Sequence, residues 1–312
     1  MCVVRDRRAP RMAHGERPRT ARASPVRHTC VCAVVRASAP WFERSCDRLA
    51  RFPLECVLVS RFVSIAQVRT APGLRMACLR GVPSPWTEAA KGIFHVKRLA
   101  CLYGAQSEDE PDGALAAWAG DVGVPVVAHD NEPLRTGWAE ILLLAERLAP
   151  TPALIPAPAD QRALLFGLAH EICGEMGFGW AYRLVMIQQS LGHGEGARFP
   201  PNVANYLAAK YGFNPAHVRA AKGRVLDVLR LLSERIAGQR YLLGDSLTAV
   251  DIYWATFANL ILPLPEAQLA AVPMIRAAYT CTDTEILASV SDELHAHQRR
   301  VYQDHLELPV PL

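Results

Sequence analysis

Ser84-Pro85-Trp86-Thr87 stands where an extended run, Met76 to Arg80, gives way through Gly81 to Pro83 to a helical one. A serine and a proline at that place have two readings. In the first, Ser84 caps the helix by accepting from a first-turn N–H, and Pro85, which has no N–H to leave unpaired, fills the first helical position. In the second, the hydroxyl and the positive end of the helix together stabilise an anion such as a thiolate, because both favour the charged form. The same four residues exclude one chemistry. With Ser and Thr at 84 and 87, no thiol nucleophile is present for dithiol exchange. Cys78, in the preceding strand, reads as buried and inert.

Other clusters say less. Val124-Pro125-Val126-Val127 puts a proline among strand residues, which points to a cis bond at Pro125. His170-Glu171-Ile172-Cys173-Gly174 has only the first half of a His-Glu-x-x-His zinc helix, with Gly174 in place of the second histidine, so no metal is expected there. His170, Met176, Trp180 and Tyr182 read instead as lining a pocket between domains or lying in a core. Gly192-His193-Gly194-Glu195-Gly196 follows no strand and precedes no Lys-Ser/Thr, and so reads as a mobile loop rather than a phosphate cradle. Cys30-Val31-Cys32 beside His28 lacks a second ligand pair at zinc spacing.

The elements that must hold these residues follow from periodicity. Trp86, Ala89, Ala90, Ile93 and Phe94 form one apolar face of a helix over 84–97. Strands are expected at Leu99–Gly104, Val124–Ala128 and Glu132–Arg135, a short helix at Gly113–Trp118, and a helix at Gly137–Leu148. The order is βαβ, short helix, ββα. Four prolines between Pro150 and Pro158 make a semi-rigid linker, after which only helical patterns occur: Asp160–Met176, Trp180–Ser190, Pro201–Tyr211, and a long helix capped by Asn214-Pro215. In Tyr241-Leu242-Leu243-Gly244-Asp245-Ser246-Leu247-Thr248-Ala249-Val250-Asp251-Ile252-Tyr253, Thr248 caps a helix and Asp251 returns a bond to the Thr248 backbone. Leu247 and Ile252 take the two positions of a hydrophobic staple.

The 312 residues suffice for two domains, and 51% hydrophobic content suffices for two cores. No run approaches the length of a membrane span, so no membrane partner is expected. The net charge of +4 is unevenly divided: residues 1–75 hold fifteen Arg, no Lys and five acidic residues, a net of +10, leaving −6 for the remainder. That acidic remainder argues against a nucleic-acid partner, and the irregular cysteine spacing fits a reducing cytoplasm better than a secreted disulfide framework. Within 1–75 only Leu54–Val68 is apolar enough for a short strand or helix. The segment is an Arg-rich targeting peptide, an arm that binds acidic partners electrostatically, or a non-native extension with Met76 as the true first residue; its acidic residues favour the last.

Three stretches in the first unit resemble the glutathione S-transferase family: Ser84-Pro85-Trp86-Thr87, Gly123-Val124-Pro125-Val126-Val127, and Arg135-Thr136-Gly137-Trp138-Ala139-Glu140-Ile141-Leu142. The most specific match is Gly244-Asp245-Ser246-Leu247-Thr248-Ala249-Val250-Asp251. The resemblance covers residues 76–265. It implies a thioredoxin-like α/β domain at 76–149 that binds glutathione and an all-helical domain at 157–312, behind the Arg-rich extension 1–75. It further implies a cytoplasmic homodimer, acting in detoxification, that conjugates glutathione as co-substrate to a small apolar electrophile without a metal. Ser84 would stabilise the thiolate, Val124 and Pro125 would pair with the cysteinyl backbone, and Trp86 would lie in the same site. Thr136 and Gly137 would hold the γ-glutamyl end. They stand where the family has Glu-Ser, so the acidic partner is missing unless Glu132 or Glu140 replaces it. That departure motivates a second reading, a transferase-fold binding or regulatory protein without conjugating activity.

Overall fold

The computed structural model describes residues 62–106, 113–120, 123–192 and 197–312. Cys30, Cys32, His28, most of the Leu54–Val68 run and four residues of the 192–196 loop lie outside them. In chain order the elements are β1 (Phe62–Val63), α1 (Ile65–Thr70), β2 (Leu74–Leu79), α2 (Pro85–Val96), β3 (Leu102–Gln106), α3 (Ala114–Ala119), β4 (Val126–His129) and α4 (Trp138–Leu148). The helical part continues with α5 (Ala159–Cys173), α6 (Phe178–Leu191), α7 (Pro201–Lys210), α8 (Pro215–Ile236) and α9 (Ala249–Ala258). It ends with α10 (Pro273–Tyr279), α11 (Thr284–Ala288) and α12 (Asp292–His305). No helix among the described residues is long and apolar enough to cross a membrane.

The sheet runs β1-β3-β2-β4, parallel except for β4, which pairs antiparallel to β2. The expected βαβ, short helix, β core is present, with two differences. First, described elements precede Met76. Leu74 and Arg75 belong to β2, and Phe62-Val63 adds a parallel edge strand to β3. The reason lies in α1, where Ile65 and Val68, three residues apart on one helical face, bury against Ala77, Leu115 and Val126 on the side of the sheet that six-residue α3 only partly covers. Gly104 makes this approach feasible, since a Cβ there would meet the Val68 side chain at 2.3 Å. Second, the expected strand Glu132–Arg135 shrinks to one bridge, in which Val127 and Arg135 exchange both backbone hydrogen bonds. Pro133 has no N–H to extend the ladder.

On the other face of the sheet, α2 packs against α9. All ten residues of α9 are buried, so its position is set by its cap. Asp251, fully buried, accepts from the Thr248 N–H (2.8 Å), the Thr248 hydroxyl (2.9 Å) and the Leu242 N–H (2.8 Å), and pairs with His297 Nε2 of α12 (2.9 Å). The expected return bond to Thr248 is therefore present, and the same carboxylate also ties in two partners distant in sequence. Asn214 caps α8 as expected, accepting from the Ala216 and His217 N–H groups. Lys97, buried at the C-terminal end of α2, clamps the proline linker by donating to the Ala149 and Pro152 carbonyls and pairing with Glu146 at 2.7 Å.

Replacing Asp251 by Ala would leave two backbone N–H groups, a hydroxyl and a histidine without their acceptor. Breaking a buried charged network of this kind costs about 3–5 kcal/mol, against ~1 kcal/mol for Thr248→Ala. Urea unfolding followed by circular dichroism should therefore show Asp251→Ala several times more destabilising than Thr248→Ala. Equal effects would mean that Asp251 acts only as a helix cap.

Candidate functional site

Strand register gathers the expected site residues at one end of the sheet. Ala77 pairs with Val126, so the antiparallel β4 brings Val124-Pro125 beside the end of β2. From there the chain turns through Gly81 to Ser84 at the N-cap position and into α2 at Pro85. The Val127–Arg135 bridge runs Thr136 and Gly137 back toward the same end. The Val124–Pro125 bond is cis, as the proline within a strand pattern predicts.

At Ser84 the backbone alone starts the helix. Its carbonyl accepts from the Glu88 N–H at 2.8 Å and its N–H donates to the Val82 carbonyl at 2.8 Å. The side chain makes no capping bond, so of the two readings of this serine the capping one does not hold. Thr87 Oγ1, in the same first turn, is buried without a hydrogen-bond partner. Burial pushes the Cys78 thiol up to about 11 and the Cys173 thiol well above its ordinary value, so neither is a ready nucleophile.

Trp86 lies two residues from Ser84, but its indole N–H is committed to the Cys173 carbonyl at 2.9 Å. Its ring meets Phe257 edge-on at 4.9 Å, and Tyr211 at 6.1 Å. It bolts α2 to the helical part rather than offering a donor to a ligand. Gly179 permits the close approach, since a Cβ there would fall 2.4 Å from Phe257 and 3.3 Å from Trp86.

Around Thr136 and Gly137 the acids are paired with nearby donors. Thr136 is exposed, and the Gly137 N–H faces Glu140 Oε2 at 3.4 Å, so the helix supplies its own carboxylate. Glu132 accepts from Arg147 (2.5 Å) and Arg135 (2.6 Å) and pairs with His129 Nδ1 (2.8 Å). Arg147 first, then His129 and Arg135, hold its carboxyl down at about 2. With three partners in place, Glu132 has little capacity left for a ligand ammonium.

Of the residues expected in a pocket or core, Tyr182 is buried in a stack with Phe178, and Trp180 packs edge-on against Tyr211 at 4.8 Å. His170 is exposed, and Met176 is half-buried with a left-handed backbone, φ 58°. Glu171 pairs with Arg224, which also donates to the Met176 carbonyl, bracing α5 against α8. Among the described residues no group of three His, Cys, Asp or Glu is placed to hold a metal ion. Tyr211 and Arg183 escaped the sequence reading. The available signal was that Arg183 is the single charged residue of α6.

Residues 215–280 match the family model described as the C-terminal domain of glutathione S-transferase. No curated protein matches the chain. A solved glutathione S-transferase domain-containing protein of Marinobacter aquaeolei VT8 is similar at 15% identity and TM-score 0.52, over 75% of this chain and 100% of that one. Two further similar structures are a theta class glutathione S-transferase from Xanthomonas axonopodis pv. citri with glutathione bound, at 18% identity and TM-score 0.44 over 72% of this chain and 100% of that one, and a glutathione S-transferase from Rhodospirillum rubrum F11, at 20% identity and 0.43 over 72% and 91%. The chain thus has the glutathione transferase fold, and residues 215–280 are similar to that family's C-terminal domain.

Proposed function

We propose that this protein binds glutathione at the α2 end of its sheet and conjugates it to a small apolar electrophile. The observation that carries the reading is the uncommitted hydroxyl of Ser84 at the start of α2, beside the cis Val124–Pro125 turn. A hydroxyl there donates to a thiolate while the helix end adds positive potential, and both lower the thiol pKa. Val124 offers its backbone to an extended peptide as a strand edge does, and Thr136 donates to the γ-glutamyl carboxylate. As the fold's usual assembly, a homodimer is proposed as well.

A second reading, a binding protein without conjugating activity, is favoured by one observation: the acids near Thr136 are already engaged by Arg135, Arg147, His129 and the Gly137 N–H. Retention on immobilised glutathione separates the readings first. If the protein does not bind glutathione at millimolar concentration, the enzyme reading fails.

Two variants refine it. Ser84→Ala should lower the ultraviolet absorbance of bound thiolate and reduce kcat/KM roughly ten- to hundredfold, the worth of a hydrogen bond to a charged acceptor. An unchanged thiolate fraction would remove Ser84 from the mechanism. The double variant T136E/G137S should tighten glutathione binding about tenfold by calorimetry, through a charge-assisted bond to the ligand ammonium. The Gly137 backbone has φ −79°, and an added Cβ would meet only the movable Glu140 carboxylate at 3.2 Å. If binding does not tighten, the γ-glutamyl group lies elsewhere.

A further inference from the structure

Arg183 projects from α6 into the helical core and is only 6% exposed. A guanidinium carries five N–H donors and no acceptor. Here its oxygen partners are two phenols, Tyr279, whose hydroxyl accepts from Nη2 at 2.7 Å, and Tyr211; Nη1 also faces the weakly accepting Met186 sulfur at 3.9 Å, and Nε has no partner. The planar group otherwise meets aromatic faces, Tyr279 at 5.0 Å and Phe199 at 5.7 Å, with the Tyr211 phenol close enough to interact. Among the described residues no carboxylate forms a salt bridge with it.

A buried cation short of acceptors is costly unless something anionic joins it. Arg198 shows the contrast. Half-buried nearby, it is bonded through every nitrogen, to Gln189 from Nε, to Ala277 and Thr280 carbonyls from Nη1, and to the Thr282 hydroxyl from Nη2. Arg183, by contrast, keeps a buried Nε with no partner.

Its surroundings connect to the proposed reaction site. Tyr211 lies between Trp180 (4.8 Å) and Trp86 (6.1 Å), and Trp86 is two residues from Ser84. Both tryptophans are half-buried, so this aromatic wall reaches the surface at the junction of α2 with the helical part. We propose that Arg183, flanked by the Tyr279 and Tyr211 phenols, is a subsite for the carboxylate of a flat apolar ligand that lies along the Trp86–Tyr211–Trp180 wall. Resting on the conjugation reading above, this makes the electrophile an aromatic or similarly flat carboxylate. A carboxylate accepts charge-assisted N–H bonds from a guanidinium, and Nε has no other acceptor, while the rings receive the apolar body. Burial pushes the Tyr211 phenol up, so it stays protonated and can donate to the anion.

The test uses the full-length protein without glutathione, so that it does not depend on conjugation. Benzoate and its neutral isostere benzamide are titrated by calorimetry and by quenching of tryptophan fluorescence. Saturable binding of benzoate, with benzamide much weaker, is expected. Arg183→Gln should weaken benzoate roughly ten- to hundredfold, and Arg183→Lys should restore part of the loss, keeping the charge without the fork. Equal binding of the two probes, no binding of benzoate, or an Arg183→Gln variant that binds like wild type would overturn the proposal. Should Arg183→Gln fail to fold by circular dichroism, the benzoate and benzamide comparison on wild type decides alone. Benzoate binding without glutathione retention would sink the conjugation reading and leave this subsite standing.

Discussion

Much of the structure depends on one carboxylate. Asp251 is withdrawn from solvent and surrounded by donors from three places: the loop at Leu242, the cap at Thr248 and His297 on α12. A buried carboxylate is tolerable only when its lone pairs are filled, so each donor constrains the others. Together they set the orientation of α9, a helix buried on every side and therefore lacking an amphipathic face to orient it. Helix α9 in turn packs on α2, α5 and α12. The start of α2 carries Ser84 and Trp86. The proposed reaction site thus inherits its geometry from a capping network.

The two sides of the site are joined by aromatic packing rather than by charge. Trp86 leaves the α/β part, finds the Cys173 carbonyl at the end of α5, and lies against Phe257 of α9 and Tyr211 beyond α7. Rigid rings with a single polar tip suit this role, because they bury large area with few rotatable bonds. The same packing carries the wall onward to Trp180 and Arg183. The proposed thiol site and the proposed subsite for a flat anion therefore share one continuous aromatic surface.

The α/β part also shows how a small sheet completes itself. Six-residue α3 leaves part of one face uncovered, and α1 fills it with Ile65 and Val68. Strand β1 pairs along β3, whose open edge would otherwise offer unpaired backbone groups. Lys91 of α2 binds into the same region, lying 5.3 Å from the Phe62 ring while bonded to Glu88 and to the Pro311 carbonyl. Both ends of the described chain thus meet on α2.

Short-range physics was readable from the amino-acid sequence alone. The helix of Trp86, Ala89, Ala90, Ile93 and Phe94, the proline start at Pro85, the cap at Asn214, the Thr248–Asp251 pairing and the cis turn at Pro125 all depend on residues within a few positions of each other. Spacing and residue type therefore determined them. Tertiary packing decided the rest. That Ser84 leaves the capping to its backbone, that Trp86 gives its N–H to Cys173, and that Glu132 is occupied by Arg147 depend on partners brought near by folding. Residues 62–75 could be placed only once α3 was known to be too short to cover the sheet. Arg183 stood out in sequence merely as a charge in an apolar helix. Its shortage of acceptors arises because Tyr211 and Tyr279, distant along the chain, close around it without bringing a carboxylate.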